Sequence, residues 1–424
     1  MDPLPPIFKL RQKIASPRLA DIEGEMHALL DGFKLAQKVK PGERVAITAG
    51  SRGIRDKAVI LKVIVSRLKD LGAEPFIVPC MGSHGGGTAE GQVHMLRHLG
   101  ITEEFVGAPI VSSMEVKEVG RTHFDTPVYV DANLCTRADK VIVVNRIKPH
   151  SDFDFEIESG VCKMLVIGMG KHKGAVTAHR LSNRMNGYGT MLKAIYPVVH
   201  KALPFLFGVG IIENQYDQTS SLHLLNAASF WEEEKALLPI AKANIGRLPF
   251  KQMDVLVVDE MGKNISGPGM DPNVTGRRYV RGSPPLTEPE VMRLFVRDLT
   301  PQAEGNATGI GLADFTTKRL VQKIDMRPTM INCITGGAPE YARIPLSYEQ
   351  DREALQTAYD TSGVLDSMKL RLAWIKNTLE LETLWASAPM LAEVQADPRL
   401  EVVSELREMP FDAQGNLVMD WSAH

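Results

Sequence analysis

Residues Arg44 to Cys80 read RVAITAGSRGIRDKAVILKVIVSRLKDLGAEPFIVPC. Arg44 to Ala49 has the apolar, turn-bounded character of a buried strand, and Gly50-Ser51-Arg52-Gly53 is turn chemistry at its carboxyl end. The apolar spacing that follows Gly53 predicts a helix, Gly72 is placed to end it, and Glu74 to Cys80 reads as a second strand. A β-loop-α-β unit of this kind sets the fold class as α/β with a mostly parallel sheet. Lys140 to Asn145 (KVIVVN) is the next strand, and it runs into Arg146-Ile147-Lys148-Pro149-His150. Loops that leave the carboxyl ends of parallel strands form the ligand crevice, so these polar loops point to one edge.

Outward from that unit, Glu158 to Gly170 (ESGVCKMLVIGMG) reads as a glycine-flanked buried helix. A fresh start at Met253 (MDVLVVDE) runs a strand into a long Gly/Pro/Asn loop. Beyond it, LADFTTKRLVQKID reads as a helix, PTMINCITGG as a strand ending in a glycine turn, and DREALQTAYDTS as another helix. We therefore expect two α/β domains, each around a central mostly parallel sheet: residues 1–250, residues 251–410, and a tail over 411–424. Their cleft is a natural place for a ligand.

The bulk properties narrow the class of function. At 424 residues with 44% hydrophobic and 24% charged residues, the chain has the composition of a globular protein with a sizeable core. Lys+Arg 49 against Asp+Glu 51 leaves a net charge of −2, without a basic block, so nucleic acid and anionic membranes are not the expected partners. A small molecule is. The four cysteines, Cys80, Cys135, Cys162 and Cys333, form no C-x-x-C pair, which argues against a disulfide framework or a cysteine zinc site. With prolines and charges at the N-terminus and no run near the roughly 20 apolar residues of a membrane span, a cytoplasmic location is expected.

Four features could carry chemistry. Met81 to Thr88 (MGSHGGGT) is a glycine-rich turn after a strand, where backbone N–H groups and the start of a helix near Thr88 could cradle an anion. Its spacing is neither G-x-G-x-x-G nor a Walker motif. His84 stands within it; a turn histidine is more often a solvated surface residue. His150 follows Arg146, Lys148 and Pro149 in a loop suited to carboxylate or phosphate, or equally to plain solvent exposure. Lys163 lies in the apolar run Val161 to Ile167, where an ammonium must snorkel, pair or bond covalently. A Schiff base and a cofactor tether both fit. His172 and His179 lie seven apart, which is not the i, i+4 spacing of zinc peptidases but leaves room for a single imidazole ligand.

Taken together, His84 in Gly-Ser-His, His150 in Lys-Pro-His, Lys163 and His179 resemble the nickel-dependent lactate racemase family. Gly262 to Gly267 and Gly269 to Asn273 resemble its racemase-like branch. The resemblance implies a nickel-pincer nucleotide (pyridinium-3,5-bisthiocarboxylic acid mononucleotide) tethered to Lys163, with His179 as the protein's ligand to nickel and His84 and His150 as paired acid/base groups. It places Arg52, Ser51, Gly85 and Gly86 on the cofactor, and residues 1–250 as the cofactor-binding domain. A substrate carboxylate calls for a cation, for which Arg52 is the first candidate; Lys318, from the second domain, is a further one, though a lysine there reads more readily as part of a solvated helix face. The resemblance further implies that the protein is an isomerase inverting C2 of a 2-hydroxy acid by hydride transfer. Where the family has Asp-x-Thr-Arg, this chain has Ala49-Gly50-Ser51-Arg52, which implies a 2-hydroxy acid other than lactate. Two other classes fit the same residues: a lyase using Lys163 as a Schiff base, and a non-catalytic nucleotide-binding or cofactor-binding protein.

Overall fold

The structure is a computed structural model describing residues 3–185, 187–280, 284–419 and 421. The chain divides into two compact units, Ser16–Ile245 on one side and Met1–Ala15 with Gly246–His424 on the other. Strand β1, Ile7–Gln12, thus goes with the second unit. The sequence reading had placed it in the N-terminal domain.

The first unit holds β2 (Arg44–Ala49), β3 (Glu74–Pro79), β4 (Val116–Arg121), β5 (Pro127–Asp131), β6 (Lys140–Arg146), β7 (Phe205–Glu213) and β8 (Thr219–Asn226). Five of these form a sheet in the order β3-β2-β6-β7-β8, and β4 and β5 form a separate two-stranded sheet. All neighbours in the larger sheet are parallel except β7 and β8. The helix Lys57–Asp70 crosses between β2 and β3 and buries Ile60, Leu61, Ile64 and Leu68 completely. These pack with Val45, Ile47, Ile142, Val144 and Val209 of the sheet and with Met26 and Leu30 of the helix Ile22–Gly32. Each such side chain stabilises the unit by roughly 1.5–3 kcal/mol, so the register of β2 against β3 and β6 is firmly set. That register brings the carboxyl ends of three adjacent strands into line.

The second unit adds β9 (Gln252–Met261), β10 (Glu290–Leu299), β11 (Phe315–Thr317), β12 (Leu346–Tyr348), β13 (Leu372–Ile375), β14 (Thr383–Ser387) and β15 (Leu400–Val402). Its eight-stranded order is β12-β11-β10-β9-β13-β14-β1-β15, parallel from β12 to β13 and antiparallel from there on.

Both units are α/β with mostly parallel sheets, as the β-loop-α-β reading requires. Two local expectations fail. Residues read as a strand from Pro328 lie in a helix, Met326–Gly336, capped by Asp325, whose side chain accepts from Arg327 N–H. The β-branched content suggested a strand, but the cap and the glycine at Gly337 (φ +69°) close a helix. The helix read over Leu312 to Asp325 is shorter, with β11 first and Lys318–Lys323 helical after it.

Candidate active site

Three loops of the first unit leave the carboxyl ends of β2, β3 and β6, and they carry Ser51 and Arg52, His84, and His150. At the start of the helix that follows β2, Lys57 is almost fully buried and its ammonium donates to the carbonyls of Gly50 (2.7 Å) and Arg52 (3.0 Å). Burial and then Arg146 lower its pKa to about 7. The loop bearing Ser51 and Arg52 is therefore held from below by one lysine.

Across from it, Ser51 Oγ lies 2.6 Å from His84 Nδ1, so the imidazole is oriented by a hydroxyl that can donate or accept. The His84 turn is a tight one. Gly82, Gly85, Gly86 and Gly87 all take positive φ, between +59° and +67°, a region that costs other residues energy. Gly91, in the helix Ala89–His98, sits against it so closely that a side chain there would overlap the Gly85 carbonyl. Thr88 caps that helix, accepting from Gly91 N–H at 3.1 Å.

On the third loop, His150 stacks on Phe153 (ring centroids 4.5 Å apart), and Phe153 stacks on Tyr188 at 5.0 Å. His150 Nδ1 accepts the Asp152 backbone N–H at 3.0 Å, so the proton of the neutral ring resides on Nε2. Its own backbone N–H is fixed by Glu158 at 2.7 Å.

Lys163 ends a short helical turn, Val161–Lys163, that continues as a π-helical turn over Met164–Gly168. Such turns break the regular ladder and often sit at functional positions. The helical reading of this run holds, with that one widening. Gly168 gives the turn its close approach to β3: a side chain there would come within 2.6 Å of the Cys80 carbonyl oxygen. The Lys163 amine is pulled down to about 7, first by burial and then by the positive charge of Arg52. His179, in the helix Lys171–Arg184, is pushed down to about 4 by burial and by Lys163. Its Nδ1 is 3.1 Å from Tyr188 Oη, and the two rings meet edge to face.

Contacts and charges thus link His84 to Ser51, Arg52 to Lys163, Lys163 to His179, and His179 through Tyr188 to His150. Gly85 borders this group, and Gly86 stands open beside it. Lys318 belongs to the second unit, where it is exposed and paired with Glu349 at 2.7 Å, the behaviour of a solvated helix face.

Sequence reasoning missed the supports. Tyr188, Lys57, Gln92, Lys171, Asp131 and Glu234 all bear on these loops. Glu234 is buried; it accepts the Cys162 N–H at 2.8 Å and so caps the lysine-bearing turn. Burial lifts its carboxyl to about 7. The presence of Gly160 is a signal that was available, since a side chain there would collide with that carboxyl.

Among the described residues no three His, Cys, Asp or Glu side chains gather as a metal site. The protein offers one neutral imidazole at His179, beside a lysine amine held near neutrality. That donor set suits a group that brings its own further donors and bonds to an amine, and not a bare ion.

The carboxyl-edge loops of this parallel α/β unit carry His84, His150 and several cations, and the helical segments beside them carry Lys163 and His179, a concentration of chemistry at the edge where such folds bind small molecules. Residues 11–189 match the family model of the lactate racemase N-terminal domain. The solved lactate racemase apoprotein from Thermoanaerobacterium thermosaccharolyticum is similar in fold, with a TM-score of 0.54 over 88% of this chain and 94% of that one at 11% identity. No curated protein matches the chain in sequence. Among the described residues, no helix is long and apolar enough to cross a membrane.

Proposed function

We propose that the protein inverts C2 of a 2-hydroxy acid, with a nickel-pincer nucleotide bonded to Lys163 and its nickel held by His179. The observation that carries the reading is the pairing of these two residues: an amine pulled to about 7 by burial and Arg52, and an imidazole pushed to about 4 by burial first and then by Lys163. Neutral amine is what covalent attachment needs, and neutral imidazole is what a metal needs. If the Tyr188 hydroxyl accepts from His179 Nδ1–H, Nε2 is left with its lone pair for nickel.

When bound, the cofactor supplies the hydride acceptor that no side chain can provide. The chain's own residues do the rest. With that group in place, one of His84 and His150 would take the substrate hydroxyl proton and the other would return a proton to the same oxygen from the opposite face. Ser51, able to donate or accept, lets His84 take either role. His150, with Nδ1 occupied by the Asp152 backbone N–H, presents Nε2 as the nitrogen through which it would exchange a proton with the substrate. Arg52 and Lys148 supply positive charge for the substrate carboxylate or the nucleotide phosphate, and both depress the Lys163 amine. Ala49, fully buried at the end of β2, offers no carboxylate where the lactate racemase pattern has one, which supports a substrate other than lactate.

The test is inversion of a panel of chiral 2-hydroxy acids by cofactor-loaded protein, followed by circular dichroism. Inversion of at least one acid is expected, and its loss by about a hundredfold or more in His84→Ala and in His150→Ala. Loaded protein that inverts none of them would remove the racemase reading. The lowered Lys163 amine also suits an imine-forming lyase; borohydride trapping of a carbonyl compound on Lys163 would favour that reading instead.

A further inference from the structure

We infer that Gln92 is the positioning residue of the His84 turn, and that the buried pair Asp131 and Lys171 dictates which way its amide faces. This rests on the assignment of His84 as an acid/base group.

Gln92 lies in the first turn of the helix Ala89–His98 and is fully buried. Its Nε2 donates to the carbonyls of Gly82 (3.0 Å) and His84 (3.3 Å), which bracket the turn. An amide side chain could fill this space either way round, and a flip would set its oxygen against two carbonyl oxygens. Lys171 forbids the flip. Its ammonium, also without solvent exposure, donates to Gln92 Oε1 at 3.0 Å and to the Pro79 carbonyl at 2.5 Å, and an ammonium only donates. The charge is balanced by Asp131, fully buried, 2.9 Å away. Asp131 is itself fixed, because its other oxygen accepts from Asn133 N–H at 2.7 Å.

The chain of contacts runs Asp131, Lys171, Gln92, then the two carbonyls of the turn. Lys171 is also the first residue of the helix that carries His179, and it takes a left-handed φ of +51° to reach inward. Lys171 therefore ties the start of the His179 helix to the end of β3, and through the buried Gln92 amide to the turn that presents His84. Ser51 orients the His84 ring, while Gln92 fixes the backbone from which the ring hangs.

Gln92→Glu keeps the shape and the acceptor for Lys171 but replaces the donating group with an oxygen that repels the two carbonyls. The measurement is the imidazole nitrogen–proton correlation spectrum of cofactor-free protein, with His84 assigned by its loss in His84→Gln, alongside thermal unfolding. In Gln92→Glu the His84 signals are expected to shift and broaden while the other assigned histidines hold. With loaded protein, kcat for inversion should fall about tenfold at unchanged KM, as expected for a misplaced group that binds no substrate in the ground state. Should Gln92→Glu fail to fold, Gln92→Met, which keeps the bulk without charge or donor, is read in the same way. Unchanged His84 signals in a folded variant would overturn the inference. A wild-type protein that inverts nothing would sink the proposed function yet leave the imidazole comparison standing.

Discussion

His179 is an imidazole that has been made hard to protonate. An ordinary histidine is half charged near 6.5, whereas burial and the neighbouring Lys163 bring this one to about 4. Because its folded pKa is depressed, its protonation is disfavoured in the fold, and stability is lost as pH falls from about 6.5 toward 4. The expected result is that a histidine titration of cofactor-free protein at pH 5.5 finds His179 still neutral. A midpoint near 6.5 would contradict this. Lys163 works in the same direction from the other side. With its pKa lowered to about 7, the fold bears the cost of the ammonium below that pH and is relieved of it as pH rises toward 10.5. In cofactor-free protein, Lys163→Met should therefore be more stable than wild type at pH 6, and the gain should shrink by pH 10, as read by urea unfolding. Lys163 and His84 stand out in the sequence as odd residues in their local settings, whereas His150 and His179 lie in ordinary basic stretches and draw notice through the family resemblance. Lys171 and Gln92 do neither, because their partners Asp131, Pro79, Gly82 and His84 come from separate loops and elements.

At the scale of elements, the loops keep their shape by close packing as much as by hydrogen bonds. Gly91→Ala would push a methyl group into the Gly85 carbonyl and to 2.8 Å from Thr88 Oγ1, with backbone on one side and a helix cap on the other. We expect a loss of about 1–3 kcal/mol in stability and a displaced His84 turn, read by chemical denaturation and by the His84 signal. Gly53→Ala, which meets nothing within 4 Å, should be tolerated and serves as the control. The unit from β2 through the helix Lys57–Asp70 to β3 was readable because its apolar residues switch period at glycines. The helix Met326–Gly336 was not, since its Ile and Thr content imitates a strand and much of its apolar surface, including Met330, Ile331 and Ile334, is exposed. The π-helical turn at Met164–Gly168 likewise has no signature beyond glycine flanks.

For the whole molecule, the chain's first strand belongs to its last sheet. β1 pairs Ile7 with Ser387 of β14 and Leu10 with Val402 of β15, contacts that no local pattern announces. Deleting residues 1–15 would strip β14 and β15 of their shared neighbour, and limited proteolysis is expected to digest residues 246–424 while leaving Ser16–Ile245 resistant. Equal resistance of both units would show that β1 is dispensable. The central claim is that the first unit holds a tethered cofactor at Lys163 with nickel on His179. The most direct measurement is intact-mass and peptide-mapping mass spectrometry, with nickel content, of protein made together with the nucleotide's biosynthetic enzymes. The account predicts one adduct on the peptide containing Lys163, absent in Lys163→Ala, and retention of the adduct with loss of nickel in His179→Ala. Unmodified Lys163 under those conditions, or an adduct on another lysine, would contradict it.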